Sequence, residues 1–570
     1  MKYENLYPVR PIKNLKDMLN SSAEIYSSKA AFLSKPKGQS DYVPISYTQY
    51  KKDVDAFGTA LIDLGLKGSK IALIGENRYE WSISYLSIVN GTGIVVPLDK
   101  ELPPNEIESL IERSKAEAII YSGSVADKVN TLMDKPTTIK FFIGMDVSEN
   151  NGNVLSFEDL LNKGRDLVQK GDRRFIDAEI DENAMNMLLF TSGTTEKAKA
   201  VMLSHRNICE NLMNMCAMLY IDDKDTFLSI LPIHHTYECT CGFLCQIYRG
   251  STIAYCEGLR HILKNLKESK CTIMLGVPLV FESMYRQIMG QAIKQKGKFA
   301  VRFALGLSNT LLKLGIDIRK KLFKQIHDAL GGHIRLFISG AAGIDPQIAK
   351  GFRSLGINLV QGYGLTECAP IVALNRDIWY KDEAAGLPLP NLEVKIHDPD
   401  ENGIGEIICK GPSVMLGYYE DPEATAEAIK DGWFFTGDSG FIDKDGFVHI
   451  TGRKKNVIIT GNGKNVYPEE IETLLNRSPY IKESLVYGKG ESDGDTIVCA
   501  RIVPDREKIE EDIKNNAAPG TTAEEIIGHE IKKVNQQLVT YKHIKDFTLQ
   551  DEEFAKTTTR KIKRFIELKK

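Results

Sequence analysis

The chain has 570 residues, too many for one ordinary domain and enough to bury several cores. Its 73 Lys and Arg against 76 Asp and Glu leave a net charge of −3, which excludes a general nucleic-acid binder whose affinity would come from neutralising phosphates. The opening segment MKYENLYPVRPIKNLKDML lacks the apolar core of a signal peptide and no run of about eighteen apolar residues follows, so a cytoplasmic protein is expected.

In chain order, the apolar runs KIALIGEN, GIVVPLD and AIIYSGS each end in a turn and lead into an amphipathic stretch. CTIMLGVP, IRLFISGAAG and INLVQGYG repeat the pattern further on, and the alternation predicts an α/β fold with parallel sheets covered by helices and ligands at the carboxyl ends of the strands. Between these groups, residues 190–205 read FTSGTTEKAKAVMLSH. Met187, Leu188, Leu189 and Phe190 read as a buried strand. Thr191, Ser192, Thr194 and Thr195 then gather hydroxyls around Gly193, which tolerates the backbone angles of an anion-wrapping turn. The expected order is strand, loop, helix, with Ser204 as N-cap and Ile208, Leu212 and Met215 on the apolar face. The Walker A spacing is absent, and loops of Ser, Thr and Gly also make ordinary connections, so this segment needs support from elsewhere.

The ten cysteines run from Cys209 to Cys499 and form no disulfide framework. His234, His235, Cys239, Cys241 and Cys245 mix zinc-type donors, but no C-x-x-C pair is present and buried, reduced thiols are the better reading. From residue 401 to 452, Gly- and Asp-rich turns separate short strands, which predicts a small antiparallel β unit. A new compact unit begins after GRKKN (452–456), with strands at ESLVYGK and TIVCARIVP and a helix from about Ala523 to Leu538.

Four further segments carry chemistry. QGYGLTECAP (361–370) sets Tyr363 to stack on a purine, Thr366 to bond a phosphate and Glu367 to offer Mg²⁺ a hard oxygen. GWFFTGDSG (432–440) supplies Asp438 for a ribose diol. TGRKKNVIITGNGKNVYPEEIE and the terminal KTTTRKIKR complete the set. In this order and spacing the segments, with the hydroxyl loop, resemble the adenylate-forming superfamily of acyl-CoA synthetases, peptide-synthetase adenylation domains and beetle luciferases, from about residue 20 to the carboxyl end.

The resemblance implies a large N-terminal AMP-binding domain over 1–452, built of stacked, mostly parallel sheets with helices and including the small β unit at 401–452. It also implies a hinge at 453–456 and a small, mobile α+β C-terminal domain over 457–570. It assigns the ATP phosphates to Thr191, Ser192, Gly193, Thr194 and Thr195 with Lys199, and the adenine to Gly340, Ala341, Tyr363 and Gly364. Thr366 takes the α-phosphate, Glu367 takes Mg²⁺, and Asp438 and Arg453 take the ribose. His235 matches the family histidine near the acyl carboxylate, with His234 beside it as a competitor. Lys561, rather than Lys556, matches the adenylation lysine. Lys455 matches the hinge residue, and Gly461, Gly463, Lys464 and Asn465 fall in the loop that would meet CoA. The sequence departs from the family pattern at Glu196, Ala198 and Ala200, where Gly, Pro and Gly are usual, and at Ala555 and Arg560. An added carboxylate at 196 would repel phosphates unless Lys197 or Mg²⁺ offsets it.

The implied activity is ATP-dependent conversion of a medium- or long-chain fatty acid to acyl-AMP, then thioester formation with CoA. Loading of an acyl carrier protein and a non-catalytic nucleotide-binding role on the same fold are the alternatives. The long-chain branch is suggested by the long helical stretch from VPLVFESMYRQ to DALGG. From Lys294 to Lys324 it holds nine Lys and Arg against one acid, Asp317, interleaved with Phe299, Phe303, Leu305, Leu311 and Leu312. Such a helix could rest peripherally on the inner, anionic face of a membrane, or it could be a solvated basic face over a core-facing apolar stripe.

Overall fold

The computed structural model describes residues 3–4, 6–36, 39–133, 135–191, 198–460, 464–490, 496–515, 517–557 and 561–569. Seven strands and three helices position the candidate site. In chain order these are β1 (Met185–Thr191), β2 (Lys199–Ser204), α1 (His205–Met218), α2 (Pro278–Lys296), α3 (Lys298–Lys313), β3 (Leu336–Ser339), β4 (Asn358–Gly364), β5 (Gly417–Tyr418), β6 (Trp433–Ile442) and β7 (Val448–Arg453).

Compactness divides the chain into two units. Met1–Glu393 with Cys409–Phe434 form the first, and Val394–Ile408 with Phe435–Lys570 form the second, so the boundary expected at 453–456 falls inside the second unit.

The first unit holds two large sheets. One has eight strands, ordered β5, β2, β1, then Ile94–Leu98, Lys70–Ile74, Ala118–Tyr121, Phe141–Gly144 and Val154–Ser156. From β1 to Val154–Ser156 its neighbours run parallel, and β2 and β5 add antiparallel pairs at one end. The other has nine strands, with Thr226–Ser229, Ile273–Gly276, β3 and β4 parallel at its centre and antiparallel strands at both edges. The apolar runs form the parallel strands because both faces are covered: Ile71, Ala72, Leu73, Val95 and Val96 are fully buried.

In the second unit, β6 and β7 pair antiparallel. The carboxyl-terminal part carries Ile481–Gly490 antiparallel to Thr496–Pro504, itself parallel to Ile544–Leu549. The helices Pro468–Leu475 and Ala523–Asn535 pack Ile471, Leu475, Ile526 and Ile527 into one cluster with Val486 and Ile502 of that sheet.

Candidate active site

The hydroxyl segment differs from the expected strand–loop–helix order. β1 and β2 form an antiparallel pair with Thr191 opposite Lys199 and Phe190 opposite Ala200, so the segment joins two strands and the helix starts only at His205. The physical reason is the run Ala200, Val201, Leu203, which buries against the sheet while β2 takes Gly417 and Tyr418 as partners on its other edge. Ser204 caps α1 as expected, and Asn207 completes a capping box. Ser192, Gly193, Thr194, Thr195 and Glu196 lie outside the described residues. Two of the three departures from the family pattern in this segment belong to the stem. Ala200 is buried in the core beside Leu188 and Val96. Ala198 packs against that cluster, and its carbonyl accepts a 2.6 Å bond from the Arg113 guanidinium.

Lys199 leads from this stem to the carboxylate. Its ammonium lies 4.5 Å from the centre of the Tyr418 ring, and the Tyr418 hydroxyl donates to Glu367 Oε1 at 3.0 Å. Burial first, then the Glu367 charge and hydrogen bond, hold the Tyr418 phenol far above its ordinary pKa, so it remains a donor. The turn bearing Thr366 and Glu367 follows β4 and is fastened to α1 by Asn211. Its amide donates to the carbonyls of Cys368 (3.1 Å) and Ile371 (2.9 Å), and its oxygen accepts from Ile371 N at 3.2 Å. Thr236 donates to Thr366 Oγ1 at 3.2 Å.

The residues assigned to adenine sit at the ends of β3 and β4. Tyr363 is buried in β4. A Cβ on Gly364 would stand 2.2 Å from the Pro370 carbonyl, so only glycine allows that approach. Ala341 holds a φ of +69°, in the left-handed region that disfavours L side chains.

The two adjacent histidines separate. His234 Nε2 lies 3.7 Å from Asp99, and desolvation, partly opposed by Asp99, lowers its pKa. His235 Nδ1 accepts from Tyr237 N at 3.3 Å, and its carbonyl accepts from Cys239 N at 2.9 Å as the π-helix Tyr237–Leu244 begins. Cys239, Cys241 and Cys245 are buried free thiols, and burial pushes Cys239 up to about 12. Among the described residues no group of three or more His, Cys, Asp or Glu could hold a metal.

In the second unit the strand register sets Asp438 opposite Arg453, and their side chains meet at 2.8 Å, with Asp438 buried and Arg453 exposed. Lys561 lies within Coulombic reach of both. Its side chain touches solvent, yet surrounding protein lowers its pKa through desolvation first and Arg453 second, against the pull of Asp438. Lys556 is otherwise engaged, in ion pairs with Glu483 and Glu553. Lys455 is exposed in the turn Lys454–Asn456. Lys464 pairs with Glu401 at 2.8 Å, and Asn465 lies opposite Ile459 in a short ladder. Gly461 and Gly463 lie outside the described residues.

A match to the family described as AMP-binding enzyme spans residues 19–419. The chain belongs to the AMP-binding enzymes. Its relatives include a long-chain-fatty-acid–CoA ligase of Salmonella typhimurium, 30% identical over 84% of this chain and 83% of that one. A human long-chain-fatty-acid–CoA ligase 1 is 29% identical over 93% and 80%. Among solved structures, an anthranilate CoA ligase in complex with anthranoyl-AMP is similar over 100% of this chain and 98% of its own, with a TM-score of 0.77 at 19% identity. The fold of this AMP-binding enzyme is thus the two-domain α/β fold of the adenylate-forming enzymes.

Sequence reasoning missed Tyr418, Thr236 and Asn211. Tyr418 reaches Glu367 only because β5 joins β2 at the sheet edge, and no local pattern signals that pairing. Asn211 stands with Asn207 and Asn214 on one buried face of α1, where buried amides are a legible sign of backbone anchoring.

Proposed function

We propose that this enzyme activates a medium- or long-chain fatty acid with ATP to acyl-AMP and pyrophosphate, then passes the acyl group to CoA. The similarity to long-chain-fatty-acid–CoA ligases over more than four-fifths of both chains carries the reading. A carboxylate is a poor acyl donor because oxide would have to leave. Attack of one carboxylate oxygen on the α-phosphorus expels pyrophosphate and makes AMP the later leaving group. The CoA thiolate then attacks the acyl carbonyl and expels AMP.

Catalysis of the first step is positioning and charge neutralisation. The hydroxyl loop and Lys199 would hold the phosphates, Thr366 the α-phosphate, Asp438 and Arg453 the ribose, and Tyr363 with Gly340, Ala341 and Gly364 the adenine. His235 would face the carboxylate, and Lys561 would stabilise the developing charge. Glu367 is a half-buried hard donor with no acidic cluster around it among the described residues, which fits Mg²⁺ shared with the substrate phosphates and not a closed protein cage. Mg²⁺ bound there would neutralise phosphate charge.

We assign the domain boundary to 453–456, with Lys455 as the pivot on which residues 457–570 turn between half-reactions, bringing Gly461, Gly463, Lys464 and Asn465 to CoA. Peripheral contact with an anionic membrane belongs to the same reading. Phe299 (85% exposed), Phe303 (64%) and Leu307 (43%) stand at i, i+4 and i+8 on α3, while Leu305 and Leu311 are only partly exposed. Lys298, Arg302 and Lys313 share this helix, and Lys294 and Lys296 end α2 just before it. Sedimentation with vesicles tests the contact: binding to anionic but not zwitterionic vesicles, lost in F299S/F303S, is the expected result. Among the described residues no helix is long and apolar enough to cross a membrane.

Carboxylate-dependent ATP/pyrophosphate exchange across acids of graded chain length tests the activity. Exchange rising into the medium- and long-chain range, with CoA as acceptor, is expected. Product formed on holo acyl carrier protein but not on CoA would replace the CoA assignment, and no exchange with any acid would overturn the catalytic reading.

A further inference from the structure

Glu238 has no role in the chemistry above, yet it is fully buried in the π-helix Tyr237–Leu244, three residues beyond His235. π-Helical turns interrupt the regular ladder and gather at functional sites. Ser229 Oγ donates to Glu238 Oε1 at 2.5 Å, whereas Oε2 has no hydrogen-bond partner. Gly242 leaves room for this carboxyl, since a Cβ there would stand 2.7 Å from Glu238 Cδ.

The hydrogen bonds continue from Ser229. The Asn77 amide donates to Ser229 Oγ at 2.8 Å and to the Leu231 carbonyl at 2.7 Å, and its oxygen accepts from Ile233 N at 3.1 Å. Asn77 therefore fixes both the residue that touches Glu238 and the backbone leading into His234 and His235. One residue further on, Thr236 reaches Thr366. The line Glu238–Ser229–Asn77 thus spans the whole segment that presents His235 to one side and Thr236 to the α-phosphate threonine.

We propose that Glu238 is a positioning residue for acid activation, setting through Ser229 and Asn77 the placement of the 231–236 segment. The proposal rests on the assignment of His235 and Thr366 to the reacting carboxylate and α-phosphate. Burial pushes the Glu238 carboxyl up to about 8, with the Ser229 hydrogen bond opposing. Among the described residues, Tyr237, Cys239 and Cys241 on its own helix and Tyr255 on the strand Thr252–Tyr255 lie within its Coulombic reach. Burial keeps these phenols and thiols neutral, and neither group can carry a positive charge. At neutral pH the carboxyl keeps its proton. Ionisation near pH 8 places an uncompensated charge at Oε2, and the Ser229 contact must then adjust to it.

The test is fatty-acid-dependent ATP/pyrophosphate exchange by the full chain between pH 6 and 9.5, for wild type, E238Q, E238A and H235A. Wild type should lose kcat/KM reversibly with an apparent pKa of about 8. E238Q, which keeps an acceptor for Ser229 and cannot ionise, should stay within about threefold of wild type at pH 7 and lack that alkaline loss. E238A, if it folds, should fall at least about tenfold in kcat/KM for the acid at pH 7. An alkaline limb identical in wild type and E238Q overturns the proposal, as does an E238A enzyme with wild-type kcat/KM. H235A separates the two levels: exchange undiminished in H235A overturns the site assignment itself, whereas exchange lost in H235A alongside a pH-insensitive wild type overturns the role of Glu238 alone.

Discussion

Lys556 and Lys561 lie close in sequence but in opposite electrostatic settings. Lys556 is neutralised by Glu483 and Glu553, which raise its pKa, while Lys561 is lowered by desolvation and by Arg453. Lys561→Ala is therefore expected to abolish acyl-AMP formation while supplied acyl-AMP and CoA still yield thioester, as read by separate half-reaction assays. Lys556→Ala should leave exchange intact. Equal loss of both half-reactions in Lys561→Ala would remove that residue from the adenylation step. Tyr418→Phe keeps the ring beside Lys199 but deletes the donor to Glu367, and should raise KM for MgATP about three- to tenfold with a smaller change in kcat. The candidate site residues were legible in the sequence as residue types, hydroxyl, carboxylate and basic groups at recognisable spacings. Their supports were not: Tyr418 and Thr236 meet Glu367 and Thr366 only through long-range pairing.

At the level of elements, the parallel strands were readable because strands covered on both faces are continuous apolar runs. The strand β2 was passed over for another reason. Ala200, Val201 and Leu203 lie between the hydroxyl segment and the Ser204 cap and read as the end of a loop, and only the pairing with β1 and β5 makes them a strand. The π-helix Tyr237–Leu244 has no sequence signature of its own, since an i→i+5 ladder leaves no separate hydrophobic period. Ala200→Gly tests the stem assignment: removing a buried methyl and freeing the backbone should cost about 1 kcal/mol in urea denaturation. Asn211→Ala removes three hydrogen bonds that tie the Glu367 turn to α1, and is expected to cost about 2–3 kcal/mol and to weaken MgATP binding together with stability.

At the scale of the whole molecule, the turn Lys454–Asn456 connects β7, which ends at Arg453, to everything that follows. If Lys455 is the pivot, Lys455→Pro, which locks φ there, should leave exchange within about threefold of wild type but lower thioester formation at least about tenfold. Parallel loss of both activities would place the pivot elsewhere. Motif order along the chain suggests a boundary at 453–456. The division into compact units was not legible, because it depends on which turns and strands the carboxyl-terminal residues pack with.

The pairing of β5 with β2 also bears on how the protein is made. Gly417 takes Met202 as its partner about 215 residues after that strand has left the ribosome. At a synthesis rate of roughly 5–20 residues per second, the outer edge of the nascent sheet stays without its native neighbour for about 10–40 s. An apolar strand edge open for that long is a template for pairing with another chain. Slowed translation between residues 204 and 417 should therefore lower the soluble yield more than slowing anywhere after 418, and Tyr418, whose ring and hydroxyl complete the Lys199–Glu367 link, arrives with the strand that closes that edge.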